Sequence, residues 1–278
     1  MIKITQKAIL YLLIVFLGLV MALPFLWMFA TSFKPYEEIF VQPVRLLAEN
    51  PVFSNYKQVF EISEYVNFLR GFVNTLIVTV PTALVGVFFS SLAAFAFSRM
   101  KFPGRNVIFL AYIATMAIPL VVTIVPTYVL FTKLRLLDSF LALMLPGMFG
   151  SAGAVFFTRQ YMRGIPIELD EAARVDGMGW FGIFLNIDFP LSKPIVVTNL
   201  LFAFIGGYND YMGPLLYIRS SEKYTLQLAL SAMNDTFGTR WGVVMAGACI
   251  ALIPTALIFL LAQKYFIEGV SVSSGLKG

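Results

Sequence analysis

Long uncharged runs divide this chain into predicted membrane-spanning helices. Five runs hold between 20 and 28 consecutive residues without a charge. A helix needs about 20 apolar residues to cross a bilayer, so all five are long enough. A sixth run, 194–209, holds 16 uncharged residues before Asp210, and apolar character resumes from Tyr211 to Ile218. The predicted spans are residues 8–32, 71–98, 106–131, 139–159, 194–217 and 241–263.

The first span is predicted to be a retained anchor, although Lys3 and Lys7 precede it as in a signal peptide. Its apolar core exceeds the 7 to 15 residues typical of signal peptides, and no small-x-small cleavage site comes before Lys34. Six spans put both termini on one side of the membrane. With the termini and the loops 99–105 and 159–193 in the cytoplasm, the inside carries a net charge of +5 and the outside zero, which favours this orientation.

Prolines recur within or at the edges of the predicted spans, where each removes a helix hydrogen bond. They are either ordinary kinks or hinges of a protein that changes shape. These residues are Pro24, Pro81, Pro119, Pro126, Pro146 and Pro254.

Composition supports an all-α membrane protein. The 278 residues are 59% hydrophobic and 13% charged, with a mean hydropathy of +0.83, whereas soluble domains carry roughly 25% charged residues. Six spans leave no room for a separate large soluble domain, so 1–278 is predicted to be a single transmembrane domain. The net charge of +5 indicates basic cytoplasmic loops rather than nucleic-acid binding.

The chain contains no histidine, which excludes a Ser-His triad, an HExxH zinc site and a histidine proton relay within this polypeptide. No catalytic or metal site is predicted. The single cysteine, Cys249, can form no internal disulfide.

The loop between the fourth and fifth spans, 161–190, is the most polar stretch of the chain. Pro166 suits a first helical position, and the acids at 168, 170 and 171 favour a helix N-terminus, so a short helix is predicted to begin near Pro166. Gly177 and Gly179 should end or bend it. A second amphipathic stretch precedes Pro190. Such a helix-turn-helix either rests on lipid or presents the slim surface of Ala172 and Ala173 to another protein.

The spacing in this loop resembles the EAA loop of importer-type ATP-binding cassette (ABC) permeases. Glu171-Ala172-Ala173 is followed at the family's spacing by Gly177 and by Ile187-x-x-Pro190. Phe189 stands where the family usually has Leu.

The resemblance extends from end to end to carbohydrate permeases of the maltose-permease type. Tyr208 stands where that family often has Trp. Further matching stretches are Thr31–Pro35, Asn55-Tyr56, Ala93–Arg99, Phe102–Arg105, Ile165–Leu169, Tyr208–Leu215, Gln263–Gly269 and Leu276–Gly278. The implied fold is six transmembrane helices forming a type I ABC importer transmembrane domain.

The resemblance implies that the loop couples transport to an ATPase. The expected ATPase-coupling residues are Glu171, Ala172, Ala173, Arg174, Asp176 and Gly177. This chain has no GxxxxGK[ST] phosphate loop, so no cofactor is expected in it, and ATP and Mg would be bound by a partner ATP-binding cassette ATPase dimer. Other implied partners are a second permease subunit, an extracytoplasmic solute-binding protein, a sugar substrate and membrane lipid. The implied location is a bacterial cytoplasmic (inner) membrane.

Polar residues within spans are candidates for the substrate path, because they are costly in lipid. They also have a structural interpretation, since such residues knit helices together or lie at the outer interface. The candidates are Asn74, Asn199, Tyr208, Asn209, Asp210 and Tyr211.

Three alternatives remain open. An importer of the same architecture for a non-carbohydrate solute would keep the EAA core. A stand-alone carrier or channel would need charged groups near the middle of the membrane, and only Asp210 comes close. A six-span membrane enzyme lacks a histidine, paired intramembrane aspartates and a metal cluster.

Overall fold

The computed structural model describes residues 4–43, 45–61, 67–236 and 240–273. These residues are helical or irregular, without a strand. The final matching stretch, Leu276–Gly278, lies outside the described residues. The chain divides into two compact units, one formed by the residues up to Leu69 with Ala229–Ile253 and the other by Arg70–Leu228 with the residues from Pro254 onward.

The helices follow the apolar runs of the sequence, with short helices in the loops between them. Single turns of 3₁₀-helix occupy Thr115–Ala117 and Ser221–Lys223, and a π-helical turn occupies Phe184–Asp188. The α-helices are α1 (Ile4–Thr31), α2 (Tyr36–Ile39), α3 (Ser54–Glu61), α4 (Phe68–Arg99), α5 (Arg105–Ala114), α6 (Leu120–Lys133), α7 (Phe140–Met148), α8 (Ala152–Met162), α9 (Glu168–Val175), α10 (Trp180–Ile183), α11 (Phe189–Leu191), α12 (Lys193–Tyr208), α13 (Met212–Tyr217), α14 (Leu226–Thr236) and α15 (Trp241–Ser273).

Six segments are long and apolar enough to cross a membrane if each bent pair of helices is one span. Four are single segments, Ile9–Thr31, Phe68–Arg99, Phe140–Met162 and Trp241–Tyr265. The other two are bent pairs: 105–117 with α6, bent by 98°, and 180–191 with α12, bent by 80°. The fold is therefore all-α, as expected for a transmembrane domain.

Three predicted spans are interrupted in the structure. In the predicted span 139–159, α7 ends at Met148 and α8 begins at Ala152. The predicted span 106–131 is broken, with Pro119 directly before α6. The predicted span 194–217 is interrupted too, because α12 ends at Tyr208 and the chain resumes helical structure only at Met212. The other five prolines predicted to bend spans lie inside α1, α4, α6, α7 and α15.

In the first unit, Asn55 ties the end of α1 to α3. Its Nδ2 donates to the carbonyl oxygens of Ser32 at 2.9 Å and Lys34 at 3.0 Å. The Ser32 hydroxyl also lies 2.9 Å from that of Tyr56. A Cβ added to Gly242, at the start of α15, would lie 2.5 Å from Asn55 Nδ2. The start of α15 can therefore pack closely against the Asn55 side chain because residue 242 is a glycine.

In the second unit, glycines let α4 and α7 cross at close range. A Cβ added to Gly86 would lie 2.3 Å from the Gly147 carbonyl oxygen. Small residues allow membrane helices to approach this closely. The crossing therefore fixes the middle of α4 against α7.

Candidate functional site

The predicted helix of the polar loop is α9, and glycine ends it. Three acids occupy its first turn, where the positive end of the helix dipole stabilises them. Gly177 has φ of +83°, a conformation that favours glycine. Its N–H donates to the Arg174 carbonyl, and the Met178 N–H reaches the Ala173 carbonyl, which is the Schellman arrangement. The predicted end of the helix at Gly177 is confirmed, while its start is Glu168 rather than Pro166.

The two faces of α9 differ in exposure. Glu171, Ala172 and Arg174 are exposed, as are Asp176 and Gly177 beyond the helix. Ala173 is 7% exposed and packs in an apolar cluster of the second unit with Phe95, Val155, Met162, Ile183 and Phe184. This burial corrects one part of the sequence prediction, because of the two alanines only Ala172 lies on the exposed face.

Two polar residues, Arg174 and Asp176, flank the exposed face of α9. The Arg174 guanidinium lies over the Trp180 ring, 4.5 Å from its centroid. Asp176 is the C-cap residue of α9. The exposed surface is thus a carboxylate, a methyl group and a guanidinium held by stacking.

A buried ion cluster fixes the other face of α9, and sequence reasoning missed it. Arg99 Nε lies 2.9 Å from Asp170 Oδ2, and Arg99 Nη2 lies 3.0 Å from Asp188 Oδ1. Arg99 Nη2 also donates to the Ile165 carbonyl at 3.1 Å. The three charged side chains are 5%, 4% and 0% exposed respectively. The sequence contains one signal of this cluster, Arg99 at the end of a long apolar run, but no pattern in it identifies Asp170 and Asp188 as the partners of Arg99.

The predicted substrate-path residues separate into three pairs. Asn199 and Asp210 line a cavity of about 650 Å³ in the second unit. Asn199 Nδ2 donates to Thr158 Oγ1 at 2.9 Å, and Asp210 Oδ1 accepts from the Gly213 N–H at 3.1 Å. Asn209 and Tyr211 are exposed and are not among the described lining residues.

Asn74 and Tyr208 instead have structural positions. Asn74 Nδ2 donates to the carbonyl oxygens of Glu222 and Tyr224, both at 2.9 Å, so it holds the segment before α14 against α4. Tyr208 is 1% exposed, with its ring stacked on Phe204 and edge-on to Phe72. The structure thus gives these two residues the alternative role, in which polar residues within spans hold neighbouring segments together.

The cavity is lined by small and apolar residues with a few hydroxyl and amide groups. Asp210 is the one charged residue among its described lining. The polar lining residues are Thr82, Ser90, Ser151, Asn199 and Asp210, and small residues include Ala83, Gly86, Gly147, Gly150, Gly153, Ala154, Ala203, Gly206 and Gly207.

A third polar site orders the loop between α13 and α14. Asp138 accepts from the backbone N–H groups of Arg219 and Ser220, both at 3.0 Å, and from the Ser220 hydroxyl at 2.6 Å. Lys223 Nζ pairs with it at 3.1 Å. These donors, led by the Ser220 hydroxyl, hold the pKa of the Asp138 carboxyl well below its usual range.

Comparison with known proteins gives a family match and relatives over nearly the whole chain. The model of the family described as binding-protein-dependent transport system inner membrane component matches residues 86–272. The arabinooligosaccharides transport system permease protein AraQ of Bacillus subtilis (strain 168) is 34% identical over 94% of this chain and 92% of that protein. The sn-glycerol-3-phosphate transport system permease protein UgpE of Brucella abortus (strain 2308) is 33% identical over 92% and 93%.

The fold also matches a solved structure. A chain of a bacterial ABC transporter involved in the import of the acidic polysaccharide alginate superposes with a TM-score of 0.79 at 25% identity, covering 96% of this chain and 99% of that one.

Proposed function

Since this chain belongs to the family of binding-protein-dependent transport system inner membrane components, we propose that it is the permease subunit of an ATP-driven importer for a neutral sugar or oligosaccharide. It works with a second permease subunit, an ATPase dimer that binds ATP and Mg, and an extracytoplasmic solute-binding protein. The observation that carries the proposal is α9: a short helix with an exposed Glu171-Ala172 face, braced on its other side by the membrane domain.

The proposed mechanism is alternating access driven through that face. A cleft of the ATPase receives Glu171, Ala172 and Arg174, with Asp176 and Gly177 at its edge. Closure of the ATPase dimer then moves α9, and the membrane helices rotate as rigid bodies from inward-facing to outward-facing. Both termini and the loop 161–190 face the cytoplasm.

The cavity supports the neutral cargo. Its described lining carries the carboxylate of Asp210 and no positive charge, so a uronate or phosphate ester would meet repulsion without a compensating cation. A neutral sugar finds hydroxyl and amide partners there, and Asp210 accepts from its hydroxyls. The names of the relatives span neutral, phosphorylated and acidic cargo, so the support for a neutral cargo comes from the chemistry of the cavity.

The testing experiment reconstitutes this chain with its second permease, ATPase and binding protein in proteoliposomes. ATP-dependent uptake of a neutral oligosaccharide is expected, with little uptake of a uronic-acid oligosaccharide or a sugar phosphate. Asp210→Asn should lower neutral uptake roughly 10-fold, the loss of one hydrogen bond to a charged acceptor, whereas the exposed-acid control Glu61→Gln should not. Uptake by vesicles holding this chain alone would contradict the proposal and favour a stand-alone carrier.

A further inference from the structure

Helix α4 reaches both the candidate cavity and the ion cluster. Thr82, Gly86 and Ser90 of this helix line the cavity, and its last residue is Arg99. At 1.5 Å per residue, the nine residues from Ser90 to Arg99 span roughly 14 Å of continuous helix. A displacement applied at Arg99 therefore acts on the cavity wall through one rigid element.

Besides Asp170, helix α9 contacts the second unit through the Ala173 methyl group and through the Arg174 guanidinium over the Trp180 ring. Of its eight residues, only Asp170 and Ala173 are buried. Ala173 contributes a single methyl group to the apolar cluster, and dispersion between individual atom pairs is weak. Asp170 is thus the one charged residue of α9 that is buried against the membrane domain.

The Arg99–Asp170 pair is built to resist separation. Both side chains are about 95% buried, and moving Asp170 away from Arg99 would leave the Asp170 carboxylate uncompensated in a low-dielectric environment. Asp188 Oδ1 also accepts from Arg99 Nε at 3.1 Å and lies 3.0 Å from Nη2, and the Ile165 carbonyl accepts from Nη2, so the rigid guanidinium is held in one orientation. Asp188 orients the guanidinium, while Asp170 is the carboxylate that α9 contributes.

We propose that the Arg99–Asp170 ion pair is the link through which displacement of α9 moves α4 and thereby the cavity. The inference rests on the proposed function in one respect, namely that an ATPase displaces α9. Arg99 and Asp170 are positioning residues, because neither is argued to touch the sugar or ATP.

The test compares two variants that leave Arg99 with one carboxylate each. Asp170→Leu removes the link to α9 and keeps the Arg99–Asp188 pair; Asp188→Leu keeps the link. Leucine has the branched outline of aspartate, and each variant leaves one arginine paired with one carboxylate, so no buried charge is left uncompensated. Both are made in the complete reconstituted complex, with Arg163→Gln, an exposed arginine of the same loop, as the control.

The readout is sugar taken up per ATP hydrolysed. A purely structural role would lower uptake, ATP hydrolysis and the amount of complex together, leaving this ratio unchanged. Asp170→Leu is expected to hydrolyse ATP and to lower the ratio at least about fivefold, the lower end of typical coupling between sites. Asp188→Leu should lower it several times less, and Arg163→Gln should match the parent.

A ratio in Asp170→Leu equal to that of the parent overturns the link, as does an equal loss in Asp188→Leu. If Asp170→Leu does not assemble, Asp170→Asn retains shape and an acceptor oxygen while losing the charge; it should assemble with a lowered ratio, and an unchanged ratio again overturns the link. Absence of ATP-dependent uptake by the parent complex would refute the proposed function instead, so the two failures are distinguishable.

Discussion

Asp138 is the residue on which the loop between α13 and α14 depends. One carboxylate accepts two backbone N–H groups and a hydroxyl and pairs with Lys223. Asp138 also adopts φ of +56°, a conformation that Asp and Asn tolerate better than most residues. The side chain and its backbone thus both favour an aspartate here.

Stability of this loop should depend on pH through Asp138. Its folded-state pKa lies below the unfolded value of about 3.9, so its contribution is fully present above pH 4 and is lost as the pH falls towards the folded-state pKa. Thermal unfolding in nanodiscs from pH 7 down to pH 3 measures it. Asp138→Asn should be less stable at pH 7, by about 2 kcal/mol for hydrogen bonds to a charged acceptor, and should lose less stability on acidification.

Glu222→Gln is the matched control, because it removes an exposed acid from the same loop. Equal pH dependence of Asp138→Asn and the parent would show that Asp138 does not anchor the loop.

At this scale the sequence predicts which residues are unusual but not which neighbours they meet. Asn74 and Asn199 both stand out as amides in apolar runs, yet one bonds carbonyls about 150 positions away and the other lines the cavity. The ion partners of Arg99 lie 71 and 89 positions further along the chain. No local pattern specifies such contacts, because they follow from tertiary packing.

Among the elements, α9 carries one exposed and one buried alanine, so substitutions there can distinguish an effect on coupling to the ATPase from an effect on folding. Ala172 lies on the exposed face, so Ala172→Leu should leave assembly of the membrane domain unchanged and lower sugar uptake by obstructing the ATPase. Ala173 is buried, so Ala173→Leu should overpack the apolar cluster and cost about 1–3 kcal/mol of stability. Thermal unfolding of the purified chain and uptake by the full complex distinguish the two outcomes. Normal uptake by Ala172→Leu would contradict docking through this face.

Element positions were largely predictable, because charged residues are sparse enough to delimit the spans. The long helices α4 and α15 each contain a predicted span, and α1 covers all but the last residue of the span 8–32. The breaks were less accessible to sequence reasoning. Pro81 lies inside the continuous helix α4, whereas Pro119 lies at a 98° bend between two helices. The same residue type has different effects because neighbouring helices determine whether the backbone groups freed by proline find other partners.

For the whole molecule, the proposed topology predicts which loops face the cytoplasm. In a Cys249→Ser background, Lys101→Cys and Arg163→Cys should resist a membrane-impermeant maleimide applied to intact cells, and Glu222→Cys should react. All three positions are exposed in the structure, so accessibility reports the side of the membrane. Labelling of residues 101 and 163 but not 222 would invert the topology.

The break at Pro119 also constrains how a cell can produce this chain. The Val122 N–H donates to the Pro119 carbonyl, but the N–H groups of Leu120 and Val121 have no side-chain cap from Pro119, and these two residues are each 75% exposed. Lipid cannot satisfy free backbone groups, and each costs several kcal/mol in the hydrocarbon region. We expect the companion permease to cover this turn, so a copy synthesised in excess of it would leave these groups facing lipid. We therefore expect membrane quality-control proteases to remove orphan copies, so that balanced synthesis of the two permeases sets how many importers a cell can assemble.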